Sequence, residues 1–353
     1  MNVSSERVKC VVWDLDNTLW PGTLLEGNAG EVRPELRSLI ERLDQRGILH
    51  SVASRGDEQL ALAKLSASLL APILLHVQIG WMEKCESIER IADALNIGVD
   101  TVLLVDDDPF ERAGVAAVLP GVRCVAPDDL GCLERIATQP IESFSAEARQ
   151  RRGAYKQDER RALDERRHPG GREGFLRDAR MRVLLRYATV DDVARLAELV
   201  ERTNQMNTAG RAYTIEELST FAATRRQHAF VLEYEDAYGA LGTVGLAVLD
   251  WSNEIWTLRL ALVSCRLISR GVGTVMFAML ARLAEEHGCR LRAEYVPNGR
   301  NRPMQIALAL AGFEELPGQH GALTVLERPA TLPIEFPSHV EWRVLGLTPN
   351  ILG

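Results

Sequence analysis

The chain lacks several things that would have settled its class at once. Its apolar runs, such as Ile73–Gly80 and Val102–Val105, fall far short of the ~18 residues that a membrane span requires, so no transmembrane helix is expected. The N-terminus, MNVSSERVKCVVWDLD, has no apolar signal region and no small-residue cleavage site before a strand pattern begins. Export is therefore not expected, and a cytoplasmic protein is the default. An excess of positive charge is also missing: 49 acidic residues against 41 basic ones give a formal net charge of −8. Phosphate backbones attract basic surfaces, so general nucleic-acid binding is disfavoured. The six cysteines, Cys10, Cys85, Cys124, Cys132, Cys265 and Cys289, lie far apart without a CxxC pair. Neither a zinc site nor a disulfide framework is suggested, and reduced thiols are expected, one of which could be catalytic.

What is present is ordinary globular composition, 46% hydrophobic and 25% charged, which argues against disorder and fibrous repeats. A length of 353 residues makes two domains the natural expectation. From Val8 to Val125, short apolar β-branched runs alternate with amphipathic stretches, the pattern of a parallel sheet flanked by helices. Strands are expected at Cys10–Trp13, Leu49–Ala53, Ile73–Val77, Thr101–Val105 and Val122–Val125, with helices near 34–46, 57–68, 84–95 and 110–118. The Gly-rich stretch between Thr18 and Pro34 is too broken for a helix and reads as a small hairpin flap. Residues 141–180 are dense in alternating charge and read as an exposed helical linker. From Met181 onward, strands near 183–187, 228–234, 241–250, 254–264, 290–296 and 322–327 mix with helices near 190–203, 214–224, 272–287 and 301–311. That is an α+β pattern. The expected domains are 1–140, a linker over 141–180, and 181–353.

The strongest local signal is Val11-Val12-Trp13-Asp14-Leu15-Asp16-Asn17-Thr18, an apolar strand running into DxDxT. Ligands bind at the carboxyl ends of strands in open parallel sheets. Two carboxylates spaced by one residue there can serve one reacting centre in different roles. Asp14 would attack phosphorus as the nucleophile, and Asp16 would protonate the leaving oxygen and later activate water. A phosphoryl group also needs a cation and positioned donors. Thr18, Ser54 and Arg55 after the second strand, and Lys84 at a helix start, are the candidates for holding phosphate. Asp106-Asp107-Asp108 closes the fourth strand, where hard oxygens suit Mg²⁺ together with Asp14 and the backbone carbonyl of Asp16. Asp106 and Asp107 are placed on or beside the metal, and Asp108, before Pro109, is equally a helix cap. Taken singly, Ser54 or Asp57 could cap a helix and Lys84 could be a surface lysine. In order, at successive strand ends, these elements resemble the motif set of the haloacid dehalogenase (HAD) superfamily.

Longer strings are more specific. KCVVWDLDNTLWPGTLLEG, SVASRGDEQLALAKL, IGWMEKCESIERIADALNIGVDTVLLVDDDPFER, ARQRRGAYKQDERR, RTNQMNTAGRAYT and LVSCRLISRGV resemble the FkbH-like proteins of polyketide biosynthesis, over about Val8 to Leu326. The resemblance implies a HAD-type Rossmann-like parallel-sheet domain followed by an α+β domain like the GNAT acyltransferases. It also implies a glyceryl transferase and phosphatase. Such an enzyme loads the glyceryl unit of 1,3-bisphosphoglycerate onto a cysteine, removes phosphate, and passes the unit to the phosphopantetheine thiol of an acyl carrier protein, with Mg²⁺ as cofactor and no nucleic acid or membrane involved.

The GNAT-like resemblance further implies a pantetheine beside a splayed strand, with pyrophosphate on the glycine loop at Gly271 and Gly273. The usual Gln or Arg three residues before the first glycine is Ile268 here, which favours a carrier-protein arm over free coenzyme A. Cys265, where strand gives way to that loop, is the leading acyl-bearing thiol, against the reading of a small buried hydrophobe. Cys85, beside Lys84, is the alternative. Cys10 precedes Asp14 by about 13 Å of strand and is expected in the core, and the other three thiols have no motif support. Asn204 and Gln205, with Asn207, are grouped amides suited to substrate or pantetheine, whereas capping is the simpler reading of Asn207 and Asn301. His228, His287 and His320 lie outside any motif. Two other functions stay open: a phosphatase for a small metabolite fused to a coenzyme A-dependent N-acetyltransferase, and a second domain that only docks a carrier protein.

Overall fold

Alternation along four-residue apolar strands builds the first core. On β1 (Cys10–Trp13), Val11 and Trp13 enter one cluster, and Cys10 and Val12 enter the opposite one. β4 (Val102–Val105) does the same, with Leu103 and Val105 on one side and Val102 and Leu104 on the other. Both faces are therefore covered, as parallel strands require. The computed structural model describes residues 8–139, 146–209, 211, 213–223, 228–252, 254–317 and 322–345. It divides into two compact units, Met1–Glu159 and Arg160–Gly353.

In the first unit β1 is followed by α1 (Pro34–Asp44), β2 (Leu49–Arg55), α2 (Glu58–Ala67), β3 (Gln78–Gly80) and α3 (Lys84–Leu95). After β4 come α4 (Pro109–Val118), β5 (Arg123–Val125), α5 (Gly131–Ala137), α6 (Ala146–Arg149) and α7 (Arg151–Arg167), in which the division between units falls. The sheet order is β3-β2-β1-β4-β5, every pair parallel. The chain winds outward to one side of β1 and then returns to start β4 on the other, so a topological switch point lies between β1 and β4. Trp13 pairs with Val105, which brings the residues that follow both strands to the same end of the sheet.

Two expectations are corrected here. The third strand is not Ile73–Val77 but Gln78–Gly80. Ile73, Leu74 and Leu75 fill the core from a turn, and His76 adopts φ 47°, which interrupts any strand before Gln78. The 18–34 stretch is a series of turns rather than a hairpin, with a single parallel bridge between Asp16 and Trp20. The charged 141–180 segment is shared between the units, and its side chains do not all face water. Tyr155 is buried, and its hydroxyl donates to the Leu95 carbonyl at 3.1 Å. Residues 141–145 lie outside the described residues.

The second unit contains α8 (Gly171–Asp178), β6 (Met181–Tyr187), α9 (Val193–Arg202), α10 (Ile215–Ala223), β7 (His228–Asp236), β8 (Gly239–Trp251) and β9 (Ile255–Val263). It continues with α11 (Val272–Glu286), β10 (Arg290–Tyr295), α12 (Arg302–Leu310), β11 (Glu314–Glu315), β12 (Thr324–Arg328) and β13 (Val340–Leu345). Its eight-stranded sheet has the order β11-β12-β10-β9-β8-β7-β6-β13 and is mostly antiparallel, with parallel pairs β9/β10 and β6/β13. β13 and the short β11 were not expected from the sequence. The fold class is thus a parallel α/β unit followed by an α+β unit, as read from the sequence. Among the described residues no helix is long and apolar enough to cross a membrane.

Candidate active site

The site forms where β1 and β4 end. The Asp14 amide donates to the Val105 carbonyl at 2.9 Å, which seats Asp14 beside Asp106, and the Asp106 amide donates to Val125 at 3.2 Å. Asp14 and Asp106 are both buried, as is Lys84 from the first turn of α3. The Lys84 ammonium donates to Asp14 Oδ1 at 2.9 Å and also to Asp106 Oδ2. Ser54, at the end of β2, is buried and hydrogen-bonds the Asp14 carboxylate. Three strands and one helix therefore converge on Asp14.

Burial raises the Asp14 carboxyl to about 6, and the Asp106 charge adds to the rise, while Lys84 and Ser54 pull it back. For Lys84 burial alone would lower the pKa, but the charges of Asp14 and Asp106 outweigh it, and the ammonium is held above its ordinary value. A permanently cationic Lys84 suits an anionic ligand.

One oxygen each of Asp14, Asp106 and Asp107 lies within 4.8 Å of the others. Three hard carboxylate oxygens around one point, two of them buried, fit Mg²⁺, which takes oxygen ligands and keeps several waters. Asp16 is not among these carboxylates. Its side chain accepts from Trp20 Nε1 at 2.8 Å and from the Leu24 amide at 3.1 Å, which fastens the flap to the strand end. Its proposed ligand atom was the backbone carbonyl, a separate group.

The remaining candidate residues have the following partners. Thr18 is fully buried, and its hydroxyl both donates to Asp107 Oδ1 (3.1 Å) and accepts from the Asp107 amide (3.0 Å). It is used in joining two strand ends. Arg55 is exposed and ion-paired to Glu83 at 2.6 Å and Glu111 at 3.1 Å, so it ties the α3 and α4 entrances together. Asp57 caps α2 through the Leu60 amide (2.9 Å), and Asp108 caps α4 through the Phe110 amide (2.8 Å). Cys85 is half-buried and packs against the apolar cluster of Cys10, Val12, Ala53 and Leu104. Cys10 is buried in that cluster, as expected. Arg112 escaped the sequence reading. Its guanidinium donates to the carbonyls of Asp106 (2.6 Å) and Asp107 (2.8 Å) and holds the acidic loop from behind. The only cue was an arginine in the first turns of the helix that follows the acidic run.

Cys265, Asn204 and Gln205 belong to the second unit. Cys265 opens a short 3₁₀ turn, Cys265–Arg270, two residues beyond the end of β9, and is half-buried. Asn204 and Gln205 are half-buried in the bend between α9 and a buried segment, Met206–Thr208, whose Asn207 bridges to Leu262 of β9. Asn301 occupies the N-cap position of α12 without a side-chain cap bond, its amide donating instead to the carbonyls of Asn207 (3.0 Å) and Val296 (2.9 Å) and accepting from Tyr295 Oη (2.9 Å), while Asn207 donates to the carbonyl of Thr203 at the C-terminal end of α9 (3.3 Å). His228 stacks on Trp251 and His287 lies against Trp256, both packing roles. His320 lies outside the described residues.

No family model and no curated protein matches the chain. Among solved structures it is similar to the N-terminal part of a Bacteroides fragilis protein containing a phosphatase domain, complexed with Mg, at 26% identity and a TM-score of 0.34. That match covers 40% of this chain and 42% of the other, so the chain spans less than half of that relative. It is also similar to aminoglycoside acetyltransferase AAC(6')-Ib in complex with coenzyme A, at 17% identity and a TM-score of 0.32, over 41% of this chain and 95% of the other. An acetyltransferase from Thermus thermophilus matches at 21% identity and a TM-score of 0.34, over 43% of this chain and 99% of the other.

Proposed function

We propose that the chain is a magnesium-dependent phosphatase joined to an acyltransferase. Its substrate in this reading is 1,3-bisphosphoglycerate, whose glyceryl unit it loads onto the phosphopantetheine thiol of an acyl carrier protein. The observation that carries the phosphatase half is Lys84 bonded to both Asp14 and Asp106 at the switch point, with Ser54 on the same carboxylate. The finer reading is supported by the FkbH-like strings that run through both units.

The chemistry divides into three displacements, one at the acyl carbon and two at phosphorus. A thiolate, Cys265 or alternatively Cys85, attacks the acyl carbonyl of the mixed anhydride, and inorganic phosphate leaves as the thioester forms. Asp14 then attacks the phosphorus of the remaining phosphoester. The bond from phosphorus to the glyceryl oxygen breaks, and Asp16 supplies the proton to that oxygen. Asp16 next takes a proton from water, whose oxygen attacks phosphorus and releases Asp14 with a second phosphate. Lys84 and Ser54 offset charge on the phosphoryl oxygens throughout. Asp14, Asp106 and Asp107 would hold Mg²⁺, which when bound neutralises phosphoryl charge as a Lewis acid.

Intact-mass measurement on the full chain mixed with 1,3-bisphosphoglycerate and Mg²⁺ tests this reading. A thioester-linked glyceryl or phosphoglyceryl adduct, transferable to a pantetheinylated carrier protein, is the expected result. Peptide mapping of that adduct identifies the cysteine. Folded chain that hydrolyses acetyl phosphate but forms no adduct would reduce the proposal to its phosphatase half.

A further inference from the structure

In the second unit β9 and β10 pair in parallel only from Ile255–Leu258 against Arg290–Ala293. Beyond Leu258 the two strands part, and two rows of backbone N–H and C=O groups are left facing a gap. Such a gap is a strand-acceptor site, because an extended chain carrying amides can satisfy both edges.

The gap is filled from within the chain. The Thr208 amide donates to the Ala261 carbonyl at 2.9 Å, and the Ala261 amide donates to Thr208 Oγ1 at 2.8 Å. The Val263 amide donates to the Met206 carbonyl at 3.0 Å, and Asn207 bridges to Leu262. On the other edge the Val296 amide donates to the Thr208 carbonyl at 2.8 Å. Asn301, itself 1% exposed, closes the arrangement by donating to the Asn207 and Val296 carbonyls.

Packing agrees with the hydrogen bonds. Met206, Asn207 and Thr208 are all buried. A Cβ on Gly273 would come within 2.7 Å of Met206 Cε. A small displacement of that terminal methyl would relieve the contact, whereas Gly271 is favoured by its left-handed φ of 69°. The left-handed backbone alone accounts for Gly271.

We propose that the β9/β10 gap is a strand-acceptor site occupied in cis by Met206–Thr208, with Asn301 as its latch. The second unit therefore receives no extended amide-bearing ligand, a pantetheine arm included, between these strands. On this reading the pantetheine that the GNAT-like resemblance implies beside a splayed strand would not enter this gap. Removal of the segment would strip the amides of Ala261, Val263 and Val296 of these acceptors and cost Asn301 one of its two carbonyl partners. Any thioester exchange at Cys265 must then be reached from outside the gap. The inference concerns the second unit and does not rest on the phosphoryl-transfer reading.

Amide hydrogen exchange on the full chain, with and without millimolar coenzyme A or pantetheine, tests it, and Mg²⁺-dependent acetyl phosphate hydrolysis monitors the first unit independently. Thr208, Ala261, Val263 and Val296 are expected in the slowest-exchanging class, unchanged by either ligand. Ligand binding with that protection intact also supports the closed gap, since the ligand then sits elsewhere. Saturable binding that abolishes protection at these amides overturns the proposal, as does their rapid exchange in the free chain. The mild variant Thr208→Val removes only the acceptor for the Ala261 amide. It should speed Ala261 exchange about tenfold, the equivalent of one lost buried hydrogen bond, and an unchanged rate overturns the assigned role of the hydroxyl.

Discussion

Thr18 and Asp107 hold each other twice, the hydroxyl donating to the carboxylate at 3.1 Å and accepting from the same residue's amide at 3.0 Å. Because Asp107 is also one of the three clustered carboxylates, this reciprocal pair fixes a candidate metal ligand from behind. Thr18→Val keeps the shape and removes both bonds. Supporting bonds of this kind are typically worth about 10–100-fold in metal affinity, so Mg²⁺ titration of the variant should show weakening in that range with the fold retained.

Lys84→Met takes the cation from between two buried carboxylates. Loss of one preorganised electrostatic group generally costs about 10²–10³ in turnover, and acetyl phosphate hydrolysis should fall by that factor. A decrease smaller than tenfold would assign Lys84 to folding instead of catalysis.

Asp14→Asn removes the proposed nucleophile but none of the thiols. If capture by cysteine precedes dephosphorylation, the variant should accumulate a phosphoglyceryl adduct by mass, whereas the unaltered chain should carry the glyceryl form. No adduct on the variant would place Asp14 ahead of the thiol step.

Binding of Mg²⁺ to the folded chain alone must stabilise it, by about 2.7 kcal/mol at a hundredfold excess over the dissociation constant. Thermal melting should therefore shift upward with Mg²⁺ and return when it is chelated. Asp106→Asn should abolish the shift.

His50 offers a pH test away from the chemistry. It is fully buried and accepts from Trp13 Nε1 at 3.1 Å. Burial, helped by the charge of Arg152, pushes it down from 6.5 to about 3. The unfolded chain takes up this proton as pH drops below 6.5 while the folded one does not, so stability declines as pH falls toward 3. Asp14, raised to about 6, acts in the opposite sense. Urea melts of His50→Asn against the unaltered chain isolate the first effect, and the variant's profile should be flatter across that window.

Much of the first unit was legible because chemistry there sits directly on apolar periodicity. Asp14, Ser54 and Asp106 each follow a short β-branched run, and Lys84 opens an amphipathic helix. The third strand was misread because Ile73-Leu74-Leu75 is apolar for core filling, and only the backbone at His76 shows that the run turns. The duties of Thr18 and Arg55 depend on partners brought near by the fold, Asp107, Glu83 and Glu111, and no local pattern announces them. The filled gap in the second unit was illegible for the same reason. Met206–Thr208 has no periodicity of its own, and its partners Ala261, Val263, Val296 and Asn301 lie far along the chain.

The placement of the site at a switch point also sets an order of assembly. Thr18 and Asp107 are 89 residues apart, and the strands that carry them are neighbours only after the intervening strands and helices have been laid down on the far side of β1. Contacts of such separation form late, since the loop entropy between them must be overcome first. A growing chain that ends before Asp106 holds the Asp14 carboxylate without its acidic neighbours, so the clustered carboxylates and their shared lysine come together only once most of the first unit has been made.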